Sequence, residues 1–281
     1  MASPVRIAAA QMCSGLDPAH NIAAIKAHAV AAAEAGANYM LTPEVSIAFA
    51  GNRAQLAEVA RPFAGDPFVA ACADIAKEHA LYLHLGSMAV ALENGRFANR
   101  SVLFGPDGAR IATYDKIHLF DADPPGDRPY RESDTYEGGD AAVLAHVGDI
   151  SLGMSICYDV RFPSLYAMLA EAGAEVLSVP AAFTVPTGEA HWATLLRARA
   201  IETGSYVIAA AQGGRHANGR STWGHSMIIG PWGEVIAHKD DDKPGLILAD
   251  IDPDKVRDAR GRVPALANRR PFSLSVNQSR S

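Results

Sequence analysis

Three residues of complementary chemistry each close an apolar, strand-like segment of this sequence: Glu44 after YMLTP, Lys116 after ATYD and Cys157 after GMSI. If those strands neighbour one another, an acid–base group, a cation and a thiol meet at one end of a sheet. An unperturbed thiol titrates near about 8.5 and only its thiolate is strongly nucleophilic, so a nucleophilic cysteine needs a base. A carboxylate can take that proton and later return it to a leaving amine. A fixed ammonium favours the thiolate and stabilises the oxyanion of a tetrahedral intermediate. Together the three suffice for acyl transfer. Each also has a plainer reading: Glu44 and Lys116 as surface charges, Cys157 as a small buried hydrophobe.

The elements that must carry these groups can be read from the patterning. In ISLGMSICYDVRFPSL (150–165), Ile150, Leu152, Met154 and Ile156 fall on one strand face, and Ser151, Gly153, Ser155 and Cys157 on the other. The large face suits a core; the small face leaves room above the strand, which Cys157 closes. Tyr158-Asp159 breaks the run, and Pro163-Ser164 opens a helix over 164–173. Upstream, a strand at 5–12, a helix at 21–35 and a strand at 39–41 make a strand–helix–strand opening that sets helices against a sheet. A helix at 66–79 and a strand at 81–91 follow. GPDG (105–108) marks a hairpin between strands at 100–104 and 110–114, and residues 120–139, rich in Pro, Gly and Asp, form a long loop. Beyond it come a strand pair at 141–147 and 150–157, strands at 175–180, 206–212 and 246–251, helices at 191–203 and 252–260, and a hairpin across Pro231-Trp232-Gly233. The result is an α/β fold with one mixed sheet or two stacked sheets and helices outside. The hairpins count against a TIM barrel, whose strands are parallel throughout.

Composition narrows the partners. The chain has 281 residues, 49% hydrophobic and 20% charged, with 25 basic against 31 acidic side chains and a net charge of −6. That is an ordinary globular balance with ample core. Without a basic block, nucleic acid and anionic membrane are poor partners, and no apolar run reaches transmembrane length. DDDK (240–243) reads as a solvated loop rather than a metal site. Cys13, Cys72 and Cys157, with no CxxC or Cys/His zinc spacing, fit neither a disulfide framework nor a structural zinc. No secretory leader pattern opens the sequence, so a reduced, cytoplasmic compartment is expected.

Ordered segments then carry a resemblance. LTPEV (41–45), YDKIHLFD (114–121), RES (131–133) and CYDVRFPSL (157–165) resemble the nitrilase superfamily of carbon–nitrogen hydrolases. FTVPTGEAHW (183–192), LLRARAIET (195–203) and GHSMIIGPWGEV (224–235) resemble its Nit branch. The likeness spans nearly the whole chain, which sets the expectation of one hydrolase domain over 1–270 and a tail over 271–281. It implies an α-β-β-α sandwich that dimerises into a four-layer stack, a Glu-Lys-Cys triad, and no metal or organic cofactor. On that pattern Glu44 is the general base and acid, Lys116 the oxyanion cation and Cys157 the nucleophile. Glu132, in RES, matches the second glutamate, which positions Lys116 and the substrate; Glu137 is the competing assignment. The backbone N–H of Tyr158, next to the nucleophile, is then the natural second oxyanion donor. The implied reaction is hydrolysis of a small-molecule amide through a cysteine thioester, by a homodimer or higher homo-oligomer. AAAQGGRH (209–216) looks more like the deaminated-glutathione amidases of the branch, which release 2-oxoglutarate and cysteinylglycine. The ω-amidases, which release ammonia from 2-oxoglutaramate, are the alternative, and nitrile hydrolysis ranks below both.

Around this set, Arg161 either binds a substrate carboxylate or pairs with Asp159, the pairing being preferred. Phe183, Thr187, His191 and Trp192 are candidates for the pocket wall, and the aromatic residues among them serve equally well in a core or an interface. Arg197, Arg199 and Glu202 have the spacing for ion pairs within a helix. His118 and His225 invite a Cys-His reading, although the resemblance uses neither as base. A catalytically idle binding scaffold is the non-enzyme rival, which an intact triad disfavours. If the Lys116 charge serves only catalysis, Lys116→Met abolishes turnover and leaves folding nearly intact.

Overall fold

Residues 5–276 are described in the computed structural model of the chain; residues 1–4 and 277–281, at the ends of the expected domain and tail, lie outside them. One sheet begins with β1 (Val5–Gln11), β2 (Tyr39–Leu41), β3 (Tyr82–Ala91), β4 (Phe97–Phe104) and β5 (Arg110–Asp115). A second contains β6 (Val143–Val147), β7 (Ile150–Met154), β8 (Val176–Ser178), β9 (Tyr206–Ala209), β10 (Met227–Ile229) and β11 (Val235–His238), after which β12 (Gly245–Ile251) returns to the first. The spatial orders are β12-β1-β2-β3-β4-β5 and β11-β10-β9-β8-β7-β6. In each sheet the three central strands are parallel, β1-β2-β3 and β7-β8-β9, and their outer neighbours are antiparallel.

Parallel neighbours need crossovers, and helices supply them. Helix α1 (Pro18–Glu34) joins β1 to β2, while α2 (Arg53–Val59) and α3 (Pro67–Glu78) join β2 to β3. In the second sheet α4 (Pro163–Glu171) joins β7 to β8 and α5 (Val185–Thr203) joins β8 to β9, and α6 (Pro253–Arg262) follows β12. Asp17, Asn52, Asp66 and Asp252 each accept a backbone N–H at the start of their helices, with proline next in α1, α3 and α6. The chain therefore builds one β-α-β-α-β plan twice.

Layering follows from side-chain alternation. On β1, Ile7 and Ala9 join the core shared with the second sheet, whereas Ala8 and Ala10 pack with Ile25 and Ala29 of α1 and Ile75 of α3. Both faces of β1 are covered, which is why VRIAAAQ reads as a continuous apolar run. The second sheet turns its other face to α4 and α5 through Leu169 and Leu196. This is the expected α-β-β-α sandwich of two stacked sheets.

Several local expectations change. The small face of β7 leaves no room for a ligand, because α4 fills it. A Cβ on Gly153 would come within 2.9 Å of Leu177 and 3.1 Å of Leu169, and Ser155 Oγ meets Tyr166 Oη at 2.6 Å. The strand also stops at Met154, three residues short of Cys157. Helix α2 and the paired segments Gly213–Arg215 and Ser221–Trp223 were not anticipated. Nor is the long loop wholly irregular: Asp121–Ala122 pairs with Tyr130–Arg131, a 3-10 turn covers Glu132–Asp134, and Tyr136–Glu137 adds to β4. Residues 271–276 are exposed and without regular structure.

Candidate active site

The C-terminal end of β2 carries the first candidate. Thr42 Oγ1 accepts the Gly86 N–H at 3.0 Å, Ser46 Oγ donates to Pro43 O at 2.6 Å, and Val45 takes a left-handed φ of 49°. This tight turn aims Glu44 inward, while Gln212 Nε2 fixes its carbonyl at 3.0 Å. Gly86 permits the turn by closeness: a Cβ there would lie 2.0 Å from Thr42 O and 2.6 Å from Pro180 Cβ.

Lys116 leaves β5 with its N–H on Asn99 O at 2.9 Å, and its carbonyl receives the Gly139 N–H at 2.9 Å. Cys157 opens a 3-10 turn, Cys157–Arg161, with a left-handed φ of 49°. Such a conformation costs about 1–3 kcal/mol for a non-glycine residue and persists only where its surroundings impose it. Here Asp159 imposes it, accepting the Ile156 N–H at 2.8 Å, while the Cys157 N–H donates to Pro180 O at 2.8 Å.

These elements meet at one cavity of about 310 Å³ lined by Glu44, Asn99, Lys116, Glu132, Cys157 and Tyr158, among others. Lys116 Nζ, only 2% exposed, lies 2.9 Å from Glu44 Oε1 and 2.9 Å from Glu132 Oε2. Burial opposes its charge, but Glu132 and Glu44 outweigh that, and the ammonium is held well above the usual lysine range. The Cys157 thiol is shifted the other way for a nucleophile: burial first, then the Glu44 charge and hydrogen bond, push it up, against the pull of Lys116 and the Ala182 N–H. The balance of these influences favours the thiol form of Cys157 over its thiolate.

Glu132 is the glutamate brought to this cluster; its Oε2 also accepts the Phe120 N–H at 2.6 Å. Glu137 is exposed and takes Asn94 Nδ2 at 2.7 Å. Phe183 and Thr187 line the cavity. Trp192 is buried behind it, donating to His225 O at 2.8 Å. His191 does not reach the cavity: it is exposed on α5 and accepts Arg161 Nη2 at 3.2 Å. Arg161 lines the cavity and does not pair with Asp159, whose oxygens are taken by Ile156, Tyr114 and His118. His118, held by that bonding and stacked on Phe162, is not among the cavity-lining residues, and His225 stacks on Trp223. Arg199 pairs with Glu202, but Arg197 donates to Gly233 O instead.

Sequence reasoning missed Asn99. Its Nδ2 donates to Glu44 Oε1 at 2.9 Å and contacts Glu132 Oε1 at 3.4 Å, tying the two carboxylates together. No local signal marked it, because Asn99 is followed in β4 by two more polar residues, Arg100 and Ser101. Tyr136, Arg128 and Arg220 were missed as well, and all three line the cavity. Among the described residues no three His, Cys, Asp or Glu side chains form a metal-ligand group, and the space between Glu44 and Glu132 is filled by Lys116.

Comparisons with known proteins identify the family. The carbon–nitrogen hydrolase family model matches residues 6–261. The deaminated glutathione amidase of Yersinia enterocolitica is 38% identical over 273 residues, 96% of this chain and 94% of that protein. The crystal structure of the C. elegans NitFhit protein superposes with a TM-score of 0.86 at 34% identity, covering 100% of this chain and 69% of that one. A glutamate-to-glutamine variant of the amidase from Nesterenkonia sp. AN1, with the acetamide moiety of fluoroacetamide covalently added at its active-site cysteine, superposes with a TM-score of 0.80 at 26% identity, covering 95% of this chain and 94% of that one. The chain therefore belongs to the carbon–nitrogen hydrolase family, in the Nit branch of the nitrilase superfamily, and is a hydrolase of carbon–nitrogen bonds.

Proposed function

We propose that this protein is an amidase for a small 2-oxo-acid amide, deaminated glutathione foremost, acting through a thioester on Cys157. The observation that carries the reading is the bridging of two carboxylates by the Lys116 ammonium beside the buried Cys157 thiol. Cys157 Sγ attacks the amide carbonyl as Glu44 takes the thiol proton, and the carbonyl electron pair moves to oxygen. Lys116 and the Tyr158 backbone N–H stabilise that oxyanion, while Glu132 keeps Lys116 charged and in place. The C–N bond then breaks with the proton passing from Glu44 to the leaving amine. Water attacks the thioester, Glu44 accepts its proton, and Cys157 leaves with a proton restored.

The substrate is drawn from relatives such as the Yersinia enterocolitica deaminated glutathione amidase. Residues 1–270 act as one domain. The three unpaired cysteines support a cytoplasmic setting. Exposed Met168 on α4, Ile201 on α5 and Trp232 in the β10–β11 turn support a homodimer or higher homo-oligomer. The test is a side-by-side assay with deaminated glutathione and 2-oxoglutaramate, read by 2-oxoglutarate release. Faster turnover of deaminated glutathione is expected; the reverse ratio makes the protein an ω-amidase, and no turnover of either removes the 2-oxo-acid reading.

A further inference from the structure

The charge of the cavity is opposite to that of the chain around it. Net charge is −6, yet Arg53, Arg128, Arg161 and Arg220 line the cavity in addition to Lys116. Arg131, also in the lining, pairs with Asp123 at 2.9 Å. Among the described residues the other four arginines have no carboxylate within ion-pair distance. Arg53 is answered by Gly95 O at 2.8 Å and Arg161 by His191. Arg128 reaches only Gly51 O, at 3.4 Å, and Arg220 Nε is buried with no hydrogen-bond partner.

Arg220 and Arg128 act on one spot. Their guanidinium carbons lie 5.3 Å and 5.2 Å from the centroid of the same Tyr130 ring, and Arg220 also lies 4.8 Å over Phe49. Two cations on one ring without a counter-ion repel each other, and a buried guanidinium N–H left unpaired is costly. An anion relieves both. Asn218 braces this spot from behind, donating to Phe49 O at 2.8 Å and accepting the Arg220 backbone N–H at 3.0 Å. His216 stacks on Phe49, and burial there lowers its tendency to carry a charge. Arg161 stands apart, 5.8 Å over Tyr158 and 5.4 Å over Phe183. Between Tyr158 and Tyr130 lies Phe120, at 5.1 and 5.2 Å. The wall thus has two cationic positions separated by an aromatic ring.

Their placement along the chain assigns them. Arg161 shares the 3-10 turn of the nucleophile, whereas Arg128 and Arg220 come from the long loop and the hairpin beyond it and stand at the far end of the aromatic row from that turn. We infer that Arg220, together with Arg128, binds a carboxylate on the amine side of the scissile amide, so that the enzyme selects amides charged at both ends. The inference rests on the amidase reading above. Deaminated glutathione has such a group in its glycine carboxylate; an amide that releases ammonia has nothing to place there.

The experiment compares deaminated glutathione with the same molecule capped as its glycine N-methylamide, following 2-oxoglutarate release. In the wild type, kcat/KM favours the free acid by about tenfold or more, chiefly through KM, as a charge-assisted contact requires. Arg220→Gln collapses that preference to near unity, and Arg220→Lys retains part of it. Should Arg220→Gln fail to fold by circular dichroism, Arg128→Gln is expected to reduce the same ratio. A folded Arg220→Gln that keeps the wild-type preference overturns the inference, as does a wild type that cleaves acid and amide equally well. A wild type that cleaves neither removes deaminated glutathione as the substrate and this subsite with it.

Discussion

Glu44 and Asp159 are both buried acids tied to the Cys157 turn, 5% and 0% exposed, yet their surroundings equip them for opposite work. Asp159 is saturated. Its Oδ2 accepts the Ile156 N–H at 2.8 Å and Tyr114 Oη at 2.7 Å, and its Oδ1 accepts the His118 N–H at 3.0 Å and the His118 imidazole at 2.7 Å. Those donors come from the exit of β5 and from the nucleophile turn, so this carboxylate locks the Lys116 strand to the Cys157 loop. Glu44 gathers Lys116 and Asn99 on a single oxygen, Oε1, and lines the cavity together with Cys157. Burial does not distinguish a working carboxylate from a structural one here; spare acceptor capacity facing a substrate does.

The sharpest way to break this contrast is to neutralise each acid. Glu44→Gln keeps shape and leaves Lys116 its second partner, so turnover falls by about 10³-fold or more while the melting temperature hardly moves. Activity within tenfold of wild type would exclude Glu44 as the base. Lys116→Met is not a clean counterpart, contrary to the expectation from sequence. It abolishes turnover but also strands two buried carboxylates without their cation, a loss of about 3–5 kcal/mol in urea unfolding. A variant as stable as wild type would mean that one acid is already protonated.

Asp159→Asn reverses the pattern. The amide brings N–H donors against groups that themselves donate, and each unsatisfied contact costs about 1–3 kcal/mol. Stability therefore falls clearly, with kcat reduced through loosening of the nucleophile turn and KM less affected. His118→Phe preserves the stack on Phe162 and should cost less on both counts. Complete loss of turnover in that variant, with folding intact, would revive the Cys-His reading.

What could be read in the sequence divides along the same line. Glu44, Lys116 and Cys157 stand out because each ends an apolar strand, and strand ends are where an open α/β sheet gathers its chemistry. The long loop that supplies Glu132 is marked by composition. Arg161 was misjudged because its position two residues after Asp159 suggested a pair, whereas the 3-10 turn bends Asp159 back onto Ile156 and lets Arg161 face the cavity. His191 was drawn in by its neighbours in FTVPTGEAHW, but α5 begins at Val185 and its helical rotation puts His191 on the exposed side. Asn99 and Arg220 were invisible for another reason: their roles exist only through packing between the two sheets and their loops, which no local pattern encodes.

The smallest effect tests the comparison at the sulfur itself. Thiolate absorbance, taken as the difference between wild type and Cys157→Ala, should appear only well above the ordinary thiol range, because burial and the Glu44 charge both raise it. Glu44→Gln removes one of those two causes and moves the titration down. Lys116→Met removes the stabilising cation and moves it up. Cys72 of α3, pushed up to about 12 by burial and the Asp66 charge, packs in the core with α1 and the first sheet and should respond to neither substitution. Opposite displacements at Cys157 with none at Cys72 would mean that the carboxylate and ammonium act on one thiol. A wild-type thiolate already formed at neutral pH would instead make Cys157 and Lys116 a resting ion pair, leave Glu44 no thiol proton to take, and confine its acid–base work to the leaving amine and the hydrolytic water.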